Sequence, residues 1–201
     1  MTKTMNKMNN VEINQKMKLS EHLASPSEAA LSQISELNGI RLSPHFTLGE
    51  MTKTSYDTTD RNIPSHVAIE NMKNLCENWL EDLRFSYNEL YGDRREGERR
   101  EGESRNDGEI PIIISSGYRS EEVNRLCGGA KNSNHLTGCA VDIKCYGPEQ
   151  MIRMAGILLD IADGTKRDFD ELILEKRGTT YWIHFAVRPS GNRRKILYDC
   201  R

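Results

Sequence analysis

The sequence of 201 residues lacks several features that would assign it to a broad class. No apolar run is long enough to span a bilayer. The first twenty residues contain lysines but not the apolar stretch of a signal peptide. A net charge of -2 gives no general attraction to nucleic acid or to a membrane surface. We therefore expect a monomer that is cytoplasmic as synthesised, with no stable membrane association and no nucleic-acid partner.

The cysteine pattern excludes a second group of structures. The five cysteines are odd in number, so a disulfide framework cannot pair them all. No two of them form a Cys-x-x-Cys pair, which argues against a structural zinc knuckle. Free, buried thiols in a reducing compartment are the simpler interpretation.

Composition divides the chain into a leader and one domain. Residues 1–42 are rich in Met, Asn, Lys, Ser and Glu and are predicted to be a partly flexible leader, with a weak helical pattern over Ser27–Leu37. The domain is predicted to span 43–201 and begins with the compact segment Phe46–Met51. Within it, residues 93–109 form a low-complexity loop whose acidic and basic charges cancel, which is typical of a solvated segment.

Hydrophobic periodicity predicts an α+β domain, with a small, mostly antiparallel sheet flanked by helices. The predicted helices are Pro64–Tyr87, Ser120–Cys127 and Pro148–Ala162. The predicted strands are 109–116, 139–145, 169–176 and 179–188, the last two joined as a hairpin at Arg177-Gly178. The apolar stripe of the first helix is assigned to the core and consists of Ile69, Met72, Leu75, Cys76, Trp79, Leu80 and Leu83.

Two histidines and one aspartate form the pattern with the clearest chemical meaning. His135 and Asp142 lie seven positions apart across a glycine, and His184 follows far downstream in a strand. Strand alternation places Asp142 and His184 on the less apolar face of their strands. If those strands are neighbours, the three side chains could meet around a zinc ion with the fourth position free for water. Taken alone, His184 would be a packed core residue and Asp142 a turn or strand-edge carboxylate.

At this point the chain resembles a known group of enzymes. The segment Ser133–Asp142 fits the Ser-x-His-x-x-Gly-x-Ala-x-Asp signature of the zinc D-Ala-D-Ala carboxypeptidase family and its related peptidoglycan peptidases. The segment Phe46–Glu50 resembles the opening of a bacterial and phage branch of that family. Further matching positions are Ser116-Gly117-Tyr118-Arg119-Ser120, Asn124 and Gly128-Gly129. The resemblance runs from about Pro44 to Pro189 and implies the Hedgehog/DD-peptidase fold.

The resemblance implies roles for individual residues. His135, Asp142 and His184 match the family's zinc ligands. Arg119 matches the arginine that binds a substrate carboxylate or stabilises the oxyanion, since a guanidinium presents paired donors to two oxygens. The alternative for Arg119 is a structural salt bridge. Ser116 is expected to line the same substrate-binding pocket.

One position departs from the pattern of many relatives, which place a catalytic Asp or Glu three positions before the last zinc histidine. That position is Tyr181 here. Glu175, in a segment that resembles the family's Gln-Leu-Ile-x-Glu stretch, becomes the candidate general base, with a plain surface acid at the hairpin end as the alternative. Glu171 is the reserve candidate. If neither carboxylate serves, the domain would bind zinc and cut poorly.

The expected function is that of a zinc-dependent peptidase cleaving peptidoglycan stem peptides, as a D-Ala-D-Ala carboxypeptidase or an endopeptidase of the endolysin kind. The alternative is a non-catalytic, zinc-stabilised cell-wall binding module. Either protein would reach the cell wall only after release or export, which suits a phage or prophage lysis protein.

Overall fold

The computed structural model describes residues 38–92 and 109–200. The predicted helix over Ser27–Leu37 and all but the last residue of the charged loop 93–109 lie outside the described residues. Within these ranges, no helix combines the length and the hydropathy needed to cross a bilayer.

The described part of the chain has an α+β fold in which helices flank a five-stranded sheet, as the sequence pattern predicts. The α-helices are α1 (Leu48–Thr52), α2 (His66–Leu75), α3 (Glu81–Tyr91), α4 (Glu121–Leu126) and α5 (Pro148–Thr165). The strands are β1 (Ile114–Ser116), β2 (Ala140–Cys145), β3 (Glu171–Arg177), β4 (Thr180–Ala186) and β5 (Lys195–Cys200). The strand order is β1-β2-β4-β3-β5, and every neighbouring pair is antiparallel except β3 and β5.

The long helix predicted over Pro64–Tyr87 is interrupted in the structure. It begins at His66, because the Ser65 hydroxyl caps the backbone N–H of Ala68 and Pro64 stays outside the helix. A π-helical segment, Cys76–Leu80, then separates α2 from α3. All seven residues of the predicted apolar stripe are buried, so its assignment to the core is confirmed.

The sheet has one face in the core and one face that carries polar groups. The core face presents Val141 and Phe185, and the Phe185 ring lies 5.1 Å from the Trp79 ring of the π-helical segment. Strand alternation therefore directs Asp142 and His184 to the opposite face. The core fixes the strands, and the strands fix the spacing of the polar groups on the other face.

Two strands differ from the expectation. The first strand is predicted over 109–116 but is limited to Ile114–Ser116, where a register irregularity interrupts its pairing with β2. Strand β5 is not predicted by periodicity, because it is an edge strand that leaves apolar side chains such as Ile196 and Tyr198 exposed and so shows no simple alternation.

Candidate metal centre

The structure brings His135, Asp142 and His184 together in one buried cluster. Asp142 Oδ1 lies 3.0 Å from His184 Nδ1 and 3.2 Å from His135 Nε2. The two imidazole nitrogens of the cluster are 3.2 Å apart. One ligand atom from each residue therefore reaches a common point, as the sequence pattern predicts for a metal site.

Strand pairing accounts for two of the three positions. Asp142 on β2 lies directly opposite His184 on β4 in the antiparallel register. Residues directly opposite in such a pair have neighbouring side chains on the same face. The juxtaposition of this carboxylate and this imidazole is therefore a property of the sheet rather than of a loop.

The third position depends on a short 3₁₀-helix, Asn134–Thr137. The Ser133 hydroxyl caps its start, and Gly138 ends it with a left-handed φ of 70°. Helix α2 contacts the segment, because the Asn71 side chain donates a hydrogen bond of 2.8 Å to the Thr137 carbonyl. The His135 carbonyl also accepts a hydrogen bond from the backbone N–H of Arg119.

The hydrogen bond of His135 fixes which ring nitrogen faces the cluster. His135 Nδ1 lies 2.6 Å from the Gly117 carbonyl oxygen, which can only accept a hydrogen bond. Nδ1 therefore carries the proton of the neutral ring, and Nε2 presents a lone pair to Asp142 and His184. Burial lowers the pKa of His135, which favours this neutral form.

The pKa values of Asp142 and His184 are shifted in directions that favour positive charge beside the carboxylate. Burial by itself would raise the pKa of the Asp142 carboxyl, but the His135 and His184 imidazoles outweigh burial and hold it well below its ordinary value. Burial would likewise lower the pKa of His184, yet the hydrogen bond to Asp142 and the nearby carboxylate of Glu171 raise it to about 9. The cluster thus keeps its carboxylate ionised and attracts a proton to His184.

These features fit a bound divalent cation. A carboxylate oxygen and a neutral imidazole nitrogen point at one place, and the third donor gains a proton there when no metal competes for it. Two imidazoles and one carboxylate are donors that Zn²⁺ accepts, and zinc peptidases use such three-ligand sets. The residues that would hold the ion are His135, Asp142 and His184.

Arg119 and Ser116 lie beside the cluster, and Arg119 forms an ion pair with Asp142, as the alternative interpretation predicts. Arg119 Nη2 contacts Asp142 Oδ2, and Arg119 Nε donates a hydrogen bond of 2.8 Å to the Ser116 hydroxyl. Ser116 pairs with Asp142 across β1 and β2. The guanidinium is thereby held at the edge of the site, with one edge engaged by Asp142 and Ser116.

The two carboxylates proposed as bases occupy different surroundings. Glu175 pairs with Trp182 across β3 and β4, so it shares the face of His184 and lies two residue pairs further along the sheet. Burial, followed by the charge of Asp142, raises the pKa of Glu175 above its ordinary value. Glu171 instead accepts contacts from several cations, and its interaction with His184, ahead of the opposing effect of burial, brings its pKa to about 2.

Tyr181 stands apart from the site. It is an odd-numbered residue of β4, so its side chain lies on the face opposite His184, and it packs against the hydrophobic core. An acid at this position of a regular strand would therefore not face the cluster. Glu175 on β3, by contrast, shares the face of His184.

Three residues around the site were not found by sequence reasoning, namely Asn134, Asp170 and Arg193. The Asn134 amide donates to Asp170 Oδ2 at 2.8 Å, and Arg193 pairs with both oxygens of Asp170. Two signals were available in the sequence. Asn134 occupies a variable position inside the Ser-x-His motif, and Asp170 directly precedes Glu171.

The cysteines do not compete for the cation. Cys139 and Cys145 are buried free thiols that precede and end β2, on the alternation phase opposite Asp142, as the sequence predicts. Burial raises the pKa of both thiols, Cys145 to about 12, so both remain protonated and are poor metal ligands. All five cysteines are free, but Cys127 and Cys200 are exposed, so the expectation of buried thiols is wrong for these two.

Taken together, the fold and the cluster form a candidate metal site with two histidines and one carboxylate. The family model described as Peptidase M15 matches residues 102–165 of the chain. The match contains Ser116, Arg119, His135 and Asp142 and ends before β3 and β4. It supports the M15 metallopeptidase family for this chain, and with it a zinc-dependent hydrolase. No curated protein matches the chain.

Proposed function

We propose that the protein is a zinc-dependent peptidase that cleaves peptidoglycan stem peptides, as a D-Ala-D-Ala carboxypeptidase or an endopeptidase of the endolysin kind. The observation that carries the proposal is the convergence of His135, Asp142 and His184 within 4.8 Å of one another, each buried. The Peptidase M15 match supports it independently, because it covers two of the three residues.

The chemistry of the site divides between the ion and the protein. A bound zinc ion supplies Lewis acidity and lowers the pKa of a water to about 7. Arg119 would bind the substrate carboxylate or the developing oxyanion, because its guanidinium offers several donors and is held beside Asp142 and Ser116. Binding by Arg119 would align the scissile carbonyl with the cluster.

Proton transfer would fall to Glu175. A general base works best when its pKa approaches the working pH, and the surroundings of Glu175 shift its pKa in that direction. Glu175 would take a proton from the attacking water and return it to the amine that leaves. Its position on the face of His184 supports this role.

One observation favours a second function, that of a non-catalytic, zinc-stabilised module that binds the cell wall. The acid found in many relatives is replaced by Tyr181, and that side chain packs against the core. Among the described residues, no direct hydrogen bond joins Glu175 to any of the three candidate ligands. A protein that holds zinc but lacks an effective base would bind the wall without cutting it.

Purified peptidoglycan distinguishes the two functions. Zinc-loaded wild type, His135→Ala, Arg119→Ala and the control His66→Ala, which removes a half-exposed imidazole of α2, would be incubated with it, and the released muropeptides analysed by mass spectrometry. We expect release by wild type and by His66→Ala, loss in His135→Ala, and a decrease of about 10²–10³-fold in Arg119→Ala. Equal release by all four proteins would contradict the peptidase. Wall binding with stoichiometric zinc and no release would select the binding module.

A further inference from the structure

We propose that Glu171 and Asn134 are a positioning pair for the candidate metal site, in which Glu171 orients His184 and Asn134 ties the segment of His135 to Glu171. The inference rests on the metal site of the proposed function and gives Glu171 a role other than that of reserve base. It concerns how the site binds its ion, not how the ion is used.

Glu171 has partners on both oxygens. Its Oε1 accepts contacts from Arg193 Nη2 at 3.0 Å and from Lys195 Nζ at 3.2 Å. Its Oε2 accepts the Asn134 amide at 3.1 Å and lies 3.6 Å from His184 Nε2. A carboxylate engaged by four groups has little freedom to move toward a substrate, which argues against a base and for a fixed support.

The contact with His184 is on the ring nitrogen that does not face the cluster. A separation of 3.6 Å exceeds a direct hydrogen bond, so the attraction there is mainly electrostatic. A carboxylate at this nitrogen favours the proton on Nε2, which leaves Nδ1 as the nitrogen that would bind the ion. Outer carboxylates of this kind commonly fix the tautomer and the ring orientation of metal-binding histidines.

Asn134 connects this support to the other histidine. It directly precedes His135, and its backbone carbonyl accepts the hydrogen bonds that close the 3₁₀-helix. Its side-chain amide donates to Glu171 Oε2 at 3.1 Å and to Asp170 Oδ2 at 2.8 Å. One amide therefore joins the element that carries His135 to the start of β3, where Glu171 stands opposite Ala186, two residues after His184.

Asp170 anchors the pair. Its side chain is fully buried and receives Arg193 Nε at 2.8 Å and Arg193 Nη2 at 2.6 Å. Its backbone N–H donates to the Ala186 carbonyl at 2.7 Å. Asn134 thus reaches an acceptor that is fixed to both β3 and β4, and the positions of the two imidazoles become coupled through it.

The test measures zinc affinity and needs no substrate. The Kd for Zn²⁺ of Glu171→Gln and Asn134→Ala would be determined by competition with a chromophoric chelator, and we expect each to rise about 10–100-fold. The control is Glu149→Gln on α5, which removes the same charge from a side chain that is 76% exposed, and its Kd is expected to equal that of wild type. A wild-type Kd in folded Glu171→Gln and Asn134→Ala would overturn the proposal.

Two further measurements separate positioning from damage to the fold. Urea unfolding of each metal-free variant shows whether it folds as wild type does, and Glu171→Asp, which keeps the charge but shortens the side chain, is a second variant less disruptive to the ion pairs. We expect Glu171→Asp to weaken zinc binding while its metal-free unfolding midpoint stays that of wild type. Loss of affinity only in proportion to loss of folding would contradict a positioning role.

The double variant tests the coupling between the two residues. If Glu171 and Asn134 act through their shared contact, the double variant loses less affinity than the product of the two single losses. A double variant whose loss of affinity equals the product of the two single losses would contradict a shared action. A wild type that binds zinc tightly but releases no muropeptides would fail the proposed function and leave this inference intact.

Discussion

At the scale of single residues, the two glutamates of β3 illustrate how surroundings assign roles to identical side chains. Glu171 lies beside His184 and is contacted by Lys195 and Arg193, and these groups lower its pKa and favour its ionised form. Glu175 has a raised pKa and lies on the face of the sheet that carries His184. Sequence reasoning placed both near the cluster, but only the structure distinguishes their partners.

The role proposed for Glu175 predicts a specific kinetic defect. Glu175→Gln should lower kcat by about 10²–10⁴-fold, because it removes the proton acceptor while the binding groups remain. Zinc content should stay at the wild-type value. Steady-state kinetics on a stem-peptide substrate, together with metal analysis, would check both. The control is Glu149→Gln on α5, where the side chain is 76% exposed and pairs with Arg153. An unchanged kcat in Glu175→Gln would exclude Glu175 as the base.

Asp170 predicts a pH dependence of stability. Hydrogen bonding to Arg193, against the opposing effect of burial, lowers its pKa from 3.8 to about 2. Because the folded pKa lies below the unfolded one, the ionised form stabilises the fold by about 2 kcal/mol above pH 4. That contribution is lost as the pH falls from about 4 to about 2.

Urea unfolding at several pH values would test this assignment. Asp170→Asn should lower the free energy of unfolding at pH 7 by about 2–4 kcal/mol, because it breaks a buried ion pair. The difference from wild type should shrink as the pH approaches 2. The matched control, Asp163→Asn, removes a surface pair with Arg194 and should lose less than about 1 kcal/mol. A difference that is independent of pH would contradict the assignment.

The residue scale also shows what a single sequence can and cannot reveal. His135, Asp142 and His184 were predictable, because their residue types, spacing and strand phase all point to one kind of chemistry. The network of Asn134, Asp170 and Arg193 was not, since its contacts join residues 23 and 36 positions apart and follow no local period. Ordinary polar side chains acquire such roles only from tertiary structure.

At the scale of elements, the 3₁₀-helix that carries His135 depends on Gly138. Its φ of 70° is unfavourable for any residue with a side chain, and an added Cβ would lie 2.3 Å from the Ala68 carbonyl oxygen of α2. Gly138→Ala should therefore lower the free energy of unfolding by at least about 1 kcal/mol and weaken zinc binding, because the whole segment must shift.

The control for this change lies in α5. Gly156 is an exposed position within that helix, and an added Cβ would meet no heavy atom within 4 Å. Gly156→Ala should raise the free energy of unfolding by about 0.5–1 kcal/mol. Thermal or urea unfolding of both variants would check the pair. Equal effects of the same sign would show that Gly138 is not required by its conformation.

The elements themselves were predictable where local pattern and tertiary structure agree. Strands β2 and β4 were predictable because alternate residues, such as Val141 and Phe185, belong to the hydrophobic core. The π-helical interruption at Cys76–Leu80 was not predictable, because its apolar residues still fit a helical stripe. Strand β5 was not predicted, because Lys195–Cys200 lacks a strand pattern of its own and becomes a strand by pairing with β3.

At the scale of the whole molecule, the metal would link elements that are distant in the sequence. The candidate ligands belong to the 3₁₀-helix, β2 and β4, so an ion held by all three should stabilise the fold as a unit. At a free zinc concentration of 100 times the Kd, the gain is about 2.7 kcal/mol. For a domain of this size the melting temperature should rise by about 5–10 °C.

Differential scanning calorimetry with and without zinc would measure this effect. The wild-type melting temperature should rise with zinc and fall back after chelation. His184→Ala should show no zinc-dependent shift, whereas the control His66→Ala should behave as wild type. A rise of the same size in His184→Ala would mean that zinc stabilises the molecule from another place.

The most direct measurement of the central claim is the zinc content of the purified protein. Wild type, His135→Ala, Asp142→Ala and His184→Ala would be loaded with zinc, freed of excess metal by gel filtration, and analysed by mass spectrometry for zinc per chain. We predict one zinc per wild-type chain and close to none in each of the three variants. Wild type without zinc, or variants that retain it in full, would contradict the account.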